Sequence, residues 1–476
     1  MSKSNLLTAA LKSLTEAGHS ENEVFEVYYS VSSTETAEDC FKRQQDDMTV
    51  QQILSKTKDD TIISLTCTGN VPPLEIVAPS VSNLKLFRMS DYIQLQRLST
   101  LKGLKILDLS DNNFSGDLSE TVGGLSGLTK LKLARCQLST LPDSLSSLQK
   151  LEVLDLANNE FSAGLPAVVE TLLSLTKMNL RYCELSTLPD SLSSLTKLEN
   201  FILTGNRFAE GFPKVIGKLS ELTKLNVANC QLNSHIHGFS SLSKLEELDI
   251  SYNNFSTGLP EEVGQLSSLT RLNLKLCRLT TLPDCLSSLV KLRRLDVTQS
   301  DFQTEFPEVI VRLSSLTELK LQSCELNVIP DYLSSLNNLE ELDIPMNDFS
   351  TSLPEVLNKL PSLNKLNLEN CKINALPDWF AQMRELRVLD LSENKFAKFP
   401  SVLQHLHKLN TLRMDDNTEL EEIGKEILEI KELDYFTCDD CSILANPPYS
   451  VCERGIDDIR EYFMELQTSK GENISG

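Results

Sequence analysis

One frame of leucines constrains this sequence more than any other feature: Leu-x-x-Leu-x-Leu-x-x-Asn, or the same frame ending in Cys. It recurs at spacings of 23 or 24 residues, and an isolated match at Ile62 predicts an initiating strand. Sixteen units in one phase indicate a repeat architecture rather than several unrelated cores. The units open at Val81, Leu104, Leu128, Leu151, Leu175, Leu198, Leu222, Leu245, Leu269, Leu292, Leu316, Leu339, Leu363, Leu386, Leu409 and Leu433.

Each unit predicts one short strand. Counted from the residue that opens the unit, the leucines at positions four and six would point inward, and positions three, five, seven and eight would be displayed on the opposite face. Return segments such as 141–148 predict an irregular or 3₁₀-like turn. One unit cannot bury its own leucines, so the units must stack into a solenoid with a parallel sheet.

A second period of 47 residues overlies the first. Alternate units carry Asn at position nine with Phe two residues later, whereas the others carry Cys at position nine, and Ser300 breaks the Asn series. A buried Asn amide can bond to backbone groups that no strand satisfies, and we expect a Cys thiol to fit the same place more weakly. Replacing Cys230 by Ala should then leave backbone groups unpaired. The phenylalanines predict a hydrophobic spine under the turns: Phe114, Phe161, Phe208, Phe255, Phe302, Phe349 and Phe396.

These motifs resemble the leucine-rich repeat family over about four-fifths of the chain. The Asn-Phe units, as in residues 254–260, look like plant-type repeats, and the Cys units look like animal intracellular ones. The resemblance implies an α/β leucine-rich repeat solenoid, or horseshoe, with a concave parallel β-sheet, about 16 repeats and helical caps at both ends.

The pattern divides the chain into four parts. Residues 1–60 are expected to form a helical cap or docking segment, with helices at 4–17 and 37–56. Residues 61–445 form the solenoid, 446–466 a capping helix and 467–476 a flexible tail. The capping segment resembles that of intracellular Ras-group and ROCO-type leucine-rich repeat proteins, and in ROCO proteins a Ras-like GTPase follows it.

Charge and cysteine content bear on partners and compartment. Lys and Arg total 45 against 67 for Asp and Glu, a net charge of −22, which disfavours nucleic acid and anionic membranes as partners. No apolar run is long enough to span a bilayer. Seven of the twelve cysteines occupy position nine. Through Cys371 they lie two strands apart, roughly 9–10 Å, beyond the reach of a disulfide, which favours a reducing cytoplasm.

No motif indicates a catalytic or cofactor site. The string Gly211–Leu219 has the wrong spacing for a phosphate loop, and neither histidine pair, His235/His237 or His405/His407, has an evident carboxylate partner. Cys438 and Cys441, with Cys452 later, lack a fourth zinc ligand. We therefore expect no enzyme, no metal and no cofactor.

The displayed face carries departures from the repeat's own rule, because most units have small, Asp or Asn residues there. These departures are basic, aromatic or apolar and predict a binding surface for an acidic protein partner. They are Lys177, Arg181, Tyr182, Ile202, Lys224, Tyr252, Arg271, Lys275 and Leu276.

The predicted function is a monomeric cytoplasmic scaffold or adaptor in signalling that binds protein on its concave face. The family resemblance implies a small GTPase, kinase or phosphatase as the partner. Two alternatives remain open. The chain could be the repeat part of a larger ROCO-type GTPase, or a cell-surface recognition ectodomain, which a cleaved N-terminus or a glycan on Asn113 or Asn254 would favour.

Overall fold

The computed structural model describes residues 25–30, 63–68, 81–87, 98, 101, 103–114, 118, 120–234, 236–303 and 306–472, with side chains described between Leu98 and Leu466. Two compact units divide the chain, Met1–Cys230 and Gln231–Gly476. Each of them contains a run of parallel strands in which every strand pairs with the next one along the chain.

Nine strands belong to each unit in the described part of the chain. The first unit contains β1 (Phe25–Ser30), β2 (Ile63–Thr68), β3 (Val81–Phe87), β4 (Ile106–Asp108), β5 (Lys130–Lys132), β6 (Val153–Asp155), β7 (Lys177–Asn179), β8 (Asn200–Ile202) and β9 (Lys224–Asn226). The second contains β10 (Glu247–Asp249), β11 (Arg271–Asn273), β12 (Arg294–Asp296), β13 (Glu318–Lys320), β14 (Glu341–Asp343), β15 (Lys365–Asn367), β16 (Val388–Asp390), β17 (Thr411–Arg413) and β18 (Tyr435–Thr437).

The return segments form short 3₁₀ helices, as predicted. Most begin after a proline, whose fixed φ sets the direction in which the chain enters the helix. The proline carbonyl accepts the first hydrogen bond of the helix, as Pro142 O does from Leu145 N at 3.1 Å. In the first unit they span Glu120–Gly124, Asp143–Ser147, Ala167–Thr171, Asp190–Ser194 and Lys214–Lys218. In the second they span Phe239–Ser241, Glu261–Gln265, Asp284–Ser288, Glu308–Arg312, Asp331–Ser335, Glu355–Lys359, Asp378–Gln382, Ser401–His405 and Lys425–Glu429.

The core consists of the predicted columns. Leu107 and Leu109, at positions four and six, are fully buried, and the same two positions are buried in the later repeats. The seven phenylalanines of the predicted spine are also buried. Equivalent residues pair in register along each unit, for example Leu107 with Leu131. The prediction of a leucine-rich repeat solenoid with a parallel sheet is confirmed.

The N-terminal segment contains a strand that the sequence did not reveal. The predicted strand in the frame opening at Ile62 is β2, but β1 pairs with it in parallel, so β2 does not initiate the run. The residues of β1, Phe-Glu-Val-Tyr-Tyr-Ser, have high β propensity but not the leucine frame. The helices predicted at 4–17 and 37–56 lie outside the described residues.

The C-terminal segment forms α1 (Tyr449–Cys452) and α2 (Ile456–Glu472), separated by Gly455 at φ 99°. Helix α2 buries Ile456, Ile459 and Phe463, whereas Val451 of α1 is half-buried. No proline interrupts the sequence after Ile456, and α2 continues six residues into the segment 467–476 that was predicted to be a flexible tail.

The Asn side chains at position nine join successive repeats by hydrogen bonds. Asn206 Oδ1 accepts from the backbone N–H groups of Cys183 at 3.2 Å and Leu185 at 3.0 Å, both in the preceding repeat. Its Nδ2 donates to the carbonyls of Leu180 at 2.9 Å and Leu203 at 2.6 Å. Asn159, Asn347 and Asn394 make the same four bonds. We call this network the Asn ladder.

The Cys units need no such amide of their own. Where the following repeat carries Asn, their backbone N–H groups donate to it, as Cys183 N does to Asn206. Their carbonyls accept from the turn of the preceding Asn repeat, as Cys230 O accepts from Phe208 N at 3.0 Å. The 47-residue period is therefore a two-repeat hydrogen-bonding unit. Each Cys thiol adds one weak bond to a carbonyl 27 residues earlier, at 3.2–3.4 Å: Cys136, Cys183, Cys230, Cys277, Cys324, Cys371 and Cys441.

The thiol bonds are secondary to the Asn ladder. Cys230 Sγ donates to Leu203 O at 3.2 Å, but that carbonyl already accepts the Asn206 amide. The expectation that Cys230→Ala leaves backbone groups unpaired is therefore wrong for this carbonyl, because a second donor remains. Burial raises the pKa of most ladder thiols to about 12, as at Cys183, so they stay protonated.

Ser300 interrupts the Asn ladder in the second unit. Its hydroxyl is buried and has no hydrogen-bond partner among the described residues, because the side chain is too short to reach the groups that an Asn bridges. Among the described residues, no side-chain oxygen accepts a hydrogen bond from the backbone N–H of Cys277 or Leu279. These two groups correspond to the N–H groups of Cys183 and Leu185 that Asn206 pairs.

The Asn ladder predicts unequal costs for two truncations. Asn206→Ala leaves buried groups of Cys183, Leu185 and Leu180 unpaired and should cost at least about 3 kcal/mol of unfolding free energy, at about 1 kcal/mol or more for each group. Cys183→Ala leaves only a small cavity and should cost about 1 kcal/mol. Urea melts of both variants measure the difference, and equal losses would contradict the ladder.

The gap at Ser300 predicts a stabilising substitution. Ser300→Asn should restore the bridge to Cys277 and Leu279 and raise the free energy of unfolding by about 1–2 kcal/mol. The reverse change at an intact position, Asn347→Ser, is the matched control and should lower it. A Ser300→Asn protein with the wild-type midpoint in urea would mean that the turn has adapted to serine.

Candidate interaction surface

The displayed side chains lie on the strands and directly after their C-terminal ends. We call positions three, five, seven and eight of each repeat the strand face. Position eight has left-handed φ in every repeat from Asp111 to Asp440, which turns the chain away from the sheet and leaves most of these side chains exposed. Position seven is instead buried where the residue is small, as at Ala157 and Ser251.

Position five has a structural role. Its Asp or Asn side chains accept a hydrogen bond from the backbone N–H of position seven at 2.9–3.1 Å, which fixes the turn. Ile202 cannot do this and is half-buried. In its repeat the Thr204 hydroxyl donates to Asn226 Oδ1 at 2.6 Å instead.

The side chains of Arg181 and Tyr182 contact each other in the first unit. Tyr182 has φ 51° and is 41% exposed, and the Arg181 guanidinium lies over its ring, 4.9 Å from the centroid. The ring also lies against Gly205, at φ 76°, where an added Cβ would overlap it. We call Arg181, Tyr182 and Gly205 the Arg–Tyr platform. Its ring is held in place before any partner binds.

The strand face around the Arg–Tyr platform is basic. From β5 to β9 it carries six basic side chains and one acidic one, Asp155. Lys132 is 3.6 Å from Asp108, and Arg135 is bonded to Asp111. Within the described residues Arg181 forms no ion pair. The six are Lys130, Lys132, Arg135, Lys177, Arg181 and Lys224.

The predicted binding residues of the second unit are less available to a partner than those of the first unit. Tyr252 is 51% exposed, but Arg271 is paired with Glu247 at 2.9 Å. Lys275 and Leu276 are half-buried. The positive charge expected across this group is therefore partly neutralised, and the predicted surface is described best by its residues in the first unit.

Acidic side chains dominate the strand face from β15 to β18. Burial and the neighbouring Asp390 and Glu393 raise the pKa of Glu369. Burial and the neighbouring Asp440 and Glu393 likewise raise the pKa of Asp416. Each shift follows because a carboxylate among other carboxylates is costly to ionise.

The strings that suggested other chemistry have structural roles. Residues Lys214–Lys218 of the rejected phosphate string form a 3₁₀ helix, and Lys218 pairs with Asp190 at 3.8 Å. The expectation that His237 has no carboxylate partner is wrong: Glu262 lies 3.2 Å away, because the next repeat stacks against it. His235 lies outside the described residues. Glu262 also accepts the N–H groups of Gly238 and Phe239 and so holds the turn.

Neither a membrane-spanning helix nor a metal-binding cluster occurs among the described residues. No helix in them combines the length and apolar character needed to cross a bilayer. No group of three or more His, Cys, Asp or Glu side chains among them could hold a metal ion.

Comparison with family models identifies the class. A model of the leucine-rich repeat region matches residues 84–257 and 225–366, and a leucine-rich repeat model matches 362–383 and 385–406. The chain therefore belongs to the leucine-rich repeat family. No curated protein sequence matches it.

Among solved structures, the LRR protein LIC12759 of Leptospira interrogans is 31% identical, with a TM-score of 0.65 over 77% of this chain and 91% of that one. The plant peptide hormone receptor RGFR1, solved with RGF2, is 18% identical, with a TM-score of 0.53 over 90% and 81%. TLR13, solved with ssRNA13, is 20% identical, with a TM-score of 0.63 over 88% and 63%. The last two likenesses show the fold alone.

The seat of Tyr182 on Gly205 predicts an energetic coupling. Gly205→Ala should destabilise the protein, because alanine is strained at this φ by roughly 1–2 kcal/mol and its methyl group displaces the ring. In a Tyr182→Ala background only the strain should remain. Urea melts of the two single variants and the double variant give the coupling energy, and additive losses would mean that the ring is not seated there.

Proposed function

We propose that this chain is a non-catalytic scaffold for protein–protein interaction in intracellular signalling, and that its partner docks on the strand face at the Arg–Tyr platform. The observation that carries the proposal is the Tyr182 ring, which is exposed yet in contact with both the Arg181 guanidinium and Gly205. A rigid sheet presents this group without the ordering cost that a flexible loop has on binding. Tyr and Arg are also the residues most enriched among binding hot spots.

The charge of the surroundings defines the partner. Lys177 and Lys224 flank the Arg–Tyr platform on a chain whose net charge is −22, so an acidic protein surface is the complementary ligand. Ile202, half-buried between them in the sheet, adds an apolar contact. The family resemblance favours a small GTPase, kinase or phosphatase as the source of that surface. Tyr252, Arg271, Lys275 and Leu276 are assigned to a secondary contact.

A cytoplasmic location is part of the proposal. The ten cysteines described are free, and the ladder thiols are buried, which suits a reducing compartment. The similarity of the C-terminal segment to Ras-group and ROCO-type caps stays a prediction within this proposal. A cell-surface ectodomain, the alternative, requires glycans on the exposed Asn113 or Asn254, which mass spectrometry of the natural protein would detect.

A pull-down with quantitative mass spectrometry tests the docking surface. An Arg181→Ala/Tyr182→Ala variant should keep its melting temperature and lose the main acidic partner, with binding weakened at least about tenfold, because one hot-spot truncation costs roughly 2 kcal/mol. The matched control is Arg413→Ala/Tyr435→Ala, a second exposed Arg–Tyr contact with 5.8 Å from the guanidinium to the ring centroid. It should retain the partner, as should Glu308→Lys on a return segment. A platform variant that keeps every partner would contradict the proposal.

A further inference from the structure

Six carboxylates occupy positions seven and eight of the last four repeats. These repeats contain β15 to β18, and at the two positions they carry no basic residue, the other residues there being Asn370 and Ser392. Successive repeats are adjacent at these positions, because a backbone N–H of one donates to a carbonyl of the next, as Glu393 N does to Asp415 O at 2.8 Å. We call the six the acidic strip: Glu369, Glu393, Asp415, Asp416, Asp439 and Asp440.

The carboxylates of the acidic strip have no basic partner. Elsewhere on the strand face, an acid often pairs with a base of the adjacent strand. The strands β15 to β18 carry two bases, and both are paired outside the strip. Lys365 lies 3.4 Å from Glu341. Arg413 lies 3.9 Å from Asp390. Within the described residues, no member of the strip forms an ion pair.

Neutral donors hold two of these carboxylates in place. Glu393 Oε2 accepts a hydrogen bond from the Asn370 amide at 2.9 Å. Asp415 accepts from the Thr437 hydroxyl and from the backbone N–H of Asp439, both at 2.8 Å. These bonds position the carboxylates and leave their negative charge uncompensated. A cation that binds here meets anions that are already ordered, which lowers the entropic cost of binding.

The Ser392 hydroxyl is a second, independent sign of a ligand. Ser392 is at position seven within the strip and is only 7% exposed, and its hydroxyl has no hydrogen-bond partner among the described residues. The two other serines at position seven in the described chain are bonded. Ser251 Oγ donates to Asp249 at 2.6 Å. Ser110 Oγ accepts from the Ala134 N–H at 3.3 Å. A ligand that brings N–H donors to the strip would satisfy this buried oxygen.

An aromatic side chain adjoins the acidic strip. Tyr449, the first residue of α1, is 37% exposed, and its hydroxyl lies 3.5 Å from Asp439 Oδ1. The face of an aromatic ring attracts a cation, and tyrosine is enriched among binding hot spots. Unpaired carboxylates beside an exposed ring favour the side chains of Lys and Arg as ligands.

We propose that the acidic strip is a docking surface for a basic segment, rich in Lys and Arg, of a second protein partner. Charge complementarity defines this occupant. A metal ion is disfavoured, because no group of three or more metal-ligating side chains is gathered among the described residues. Four repeats span three strand spacings of about 4.8 Å, so roughly five residues of extended chain cover the strip, with alternate side chains facing it. The strip is in the second unit and acts independently of the Arg–Tyr platform, whose partner is acidic.

Fluorescence anisotropy of the full chain with a labelled heptapeptide of alternating Arg and Ser tests the proposal. The wild type should bind this peptide, less tightly as sodium chloride is added, and should not bind a heptapeptide of alternating Glu and Ser. Glu393→Gln/Asp416→Asn should weaken binding about fivefold, the combined effect of two exposed ion pairs. A wild type that does not bind the Arg peptide, or a variant that binds it equally well, would overturn the proposal. Displacement of the peptide by millimolar calcium at constant ionic strength would also overturn it and assign the strip to a metal ion.

Two control variants separate the strip from net charge and from the Arg–Tyr platform. Glu308→Gln/Glu355→Gln removes the same two charges from return segments and should leave the affinity unchanged. Arg181→Ala/Tyr182→Ala should lose the acidic partner and still bind the Arg peptide. Urea melts should show the strip variant to be at least as stable as the wild type, because neighbouring like charges are destabilising. An equal loss of affinity in the return-segment variant would mean that net charge alone attracts the peptide, which contradicts the proposal.

Discussion

The amide of the position-nine Asn is the interaction on which the repeat stack depends. Each intact Asn holds backbone groups of two successive repeats at once, as Asn347 does with Cys324, Leu326, Leu321 and its own repeat. The turns after the strands are buried and have no sheet partner for these groups. Without the amide their desolvation would oppose stacking, whatever the leucine columns contribute.

This dependence explains why two kinds of repeat alternate. An Asn repeat reaches back to the turn of the Cys repeat before it, and that Cys repeat's carbonyl accepts from the turn of the preceding Asn repeat, as Cys183 O does from Phe161 N at 3.1 Å. A Cys can therefore occupy position nine where an Asn of the following repeat pairs its backbone N–H group, a bond that Cys277 lacks because Ser300 follows it. The fixed turns also set the left-handed residues at position eight, and so they set where the strand face displays Arg181 and Tyr182.

The periodic part of this structure could be read from the sequence, because burial repeats with the frame. Strands β3 to β18, the 3₁₀ return segments and the buried Phe column all follow from spacing alone. Strand β1 could not be predicted because its residues lack the leucine frame. The carboxylate partner of His237 could not be predicted because Glu262 lies 25 residues away in the sequence and comes close only when the repeats stack.

The residues of the candidate surface could be predicted from the sequence, but the contacts between their side chains could not. Tyr182 departs visibly from its column, yet the seat of its ring depends on Gly205 in the next repeat, the one glycine at position eight from Leu104 onward. That glycine was the available signal. The pairing of Arg271 with Glu247 was hidden for the same reason, since it joins neighbouring strands.

Native-state amide hydrogen exchange within the second unit tests the central claim most directly, because it compares two turns that differ at position nine. The amides of Cys324 and Leu326 bond to Asn347, whereas those of Cys277 and Leu279 face Ser300. If the Asn amide holds the turns, Cys324 and Leu326 exchange only with global unfolding of their unit, and Cys277 and Leu279 exchange faster by local opening. Equal protection at the two turns would contradict the account.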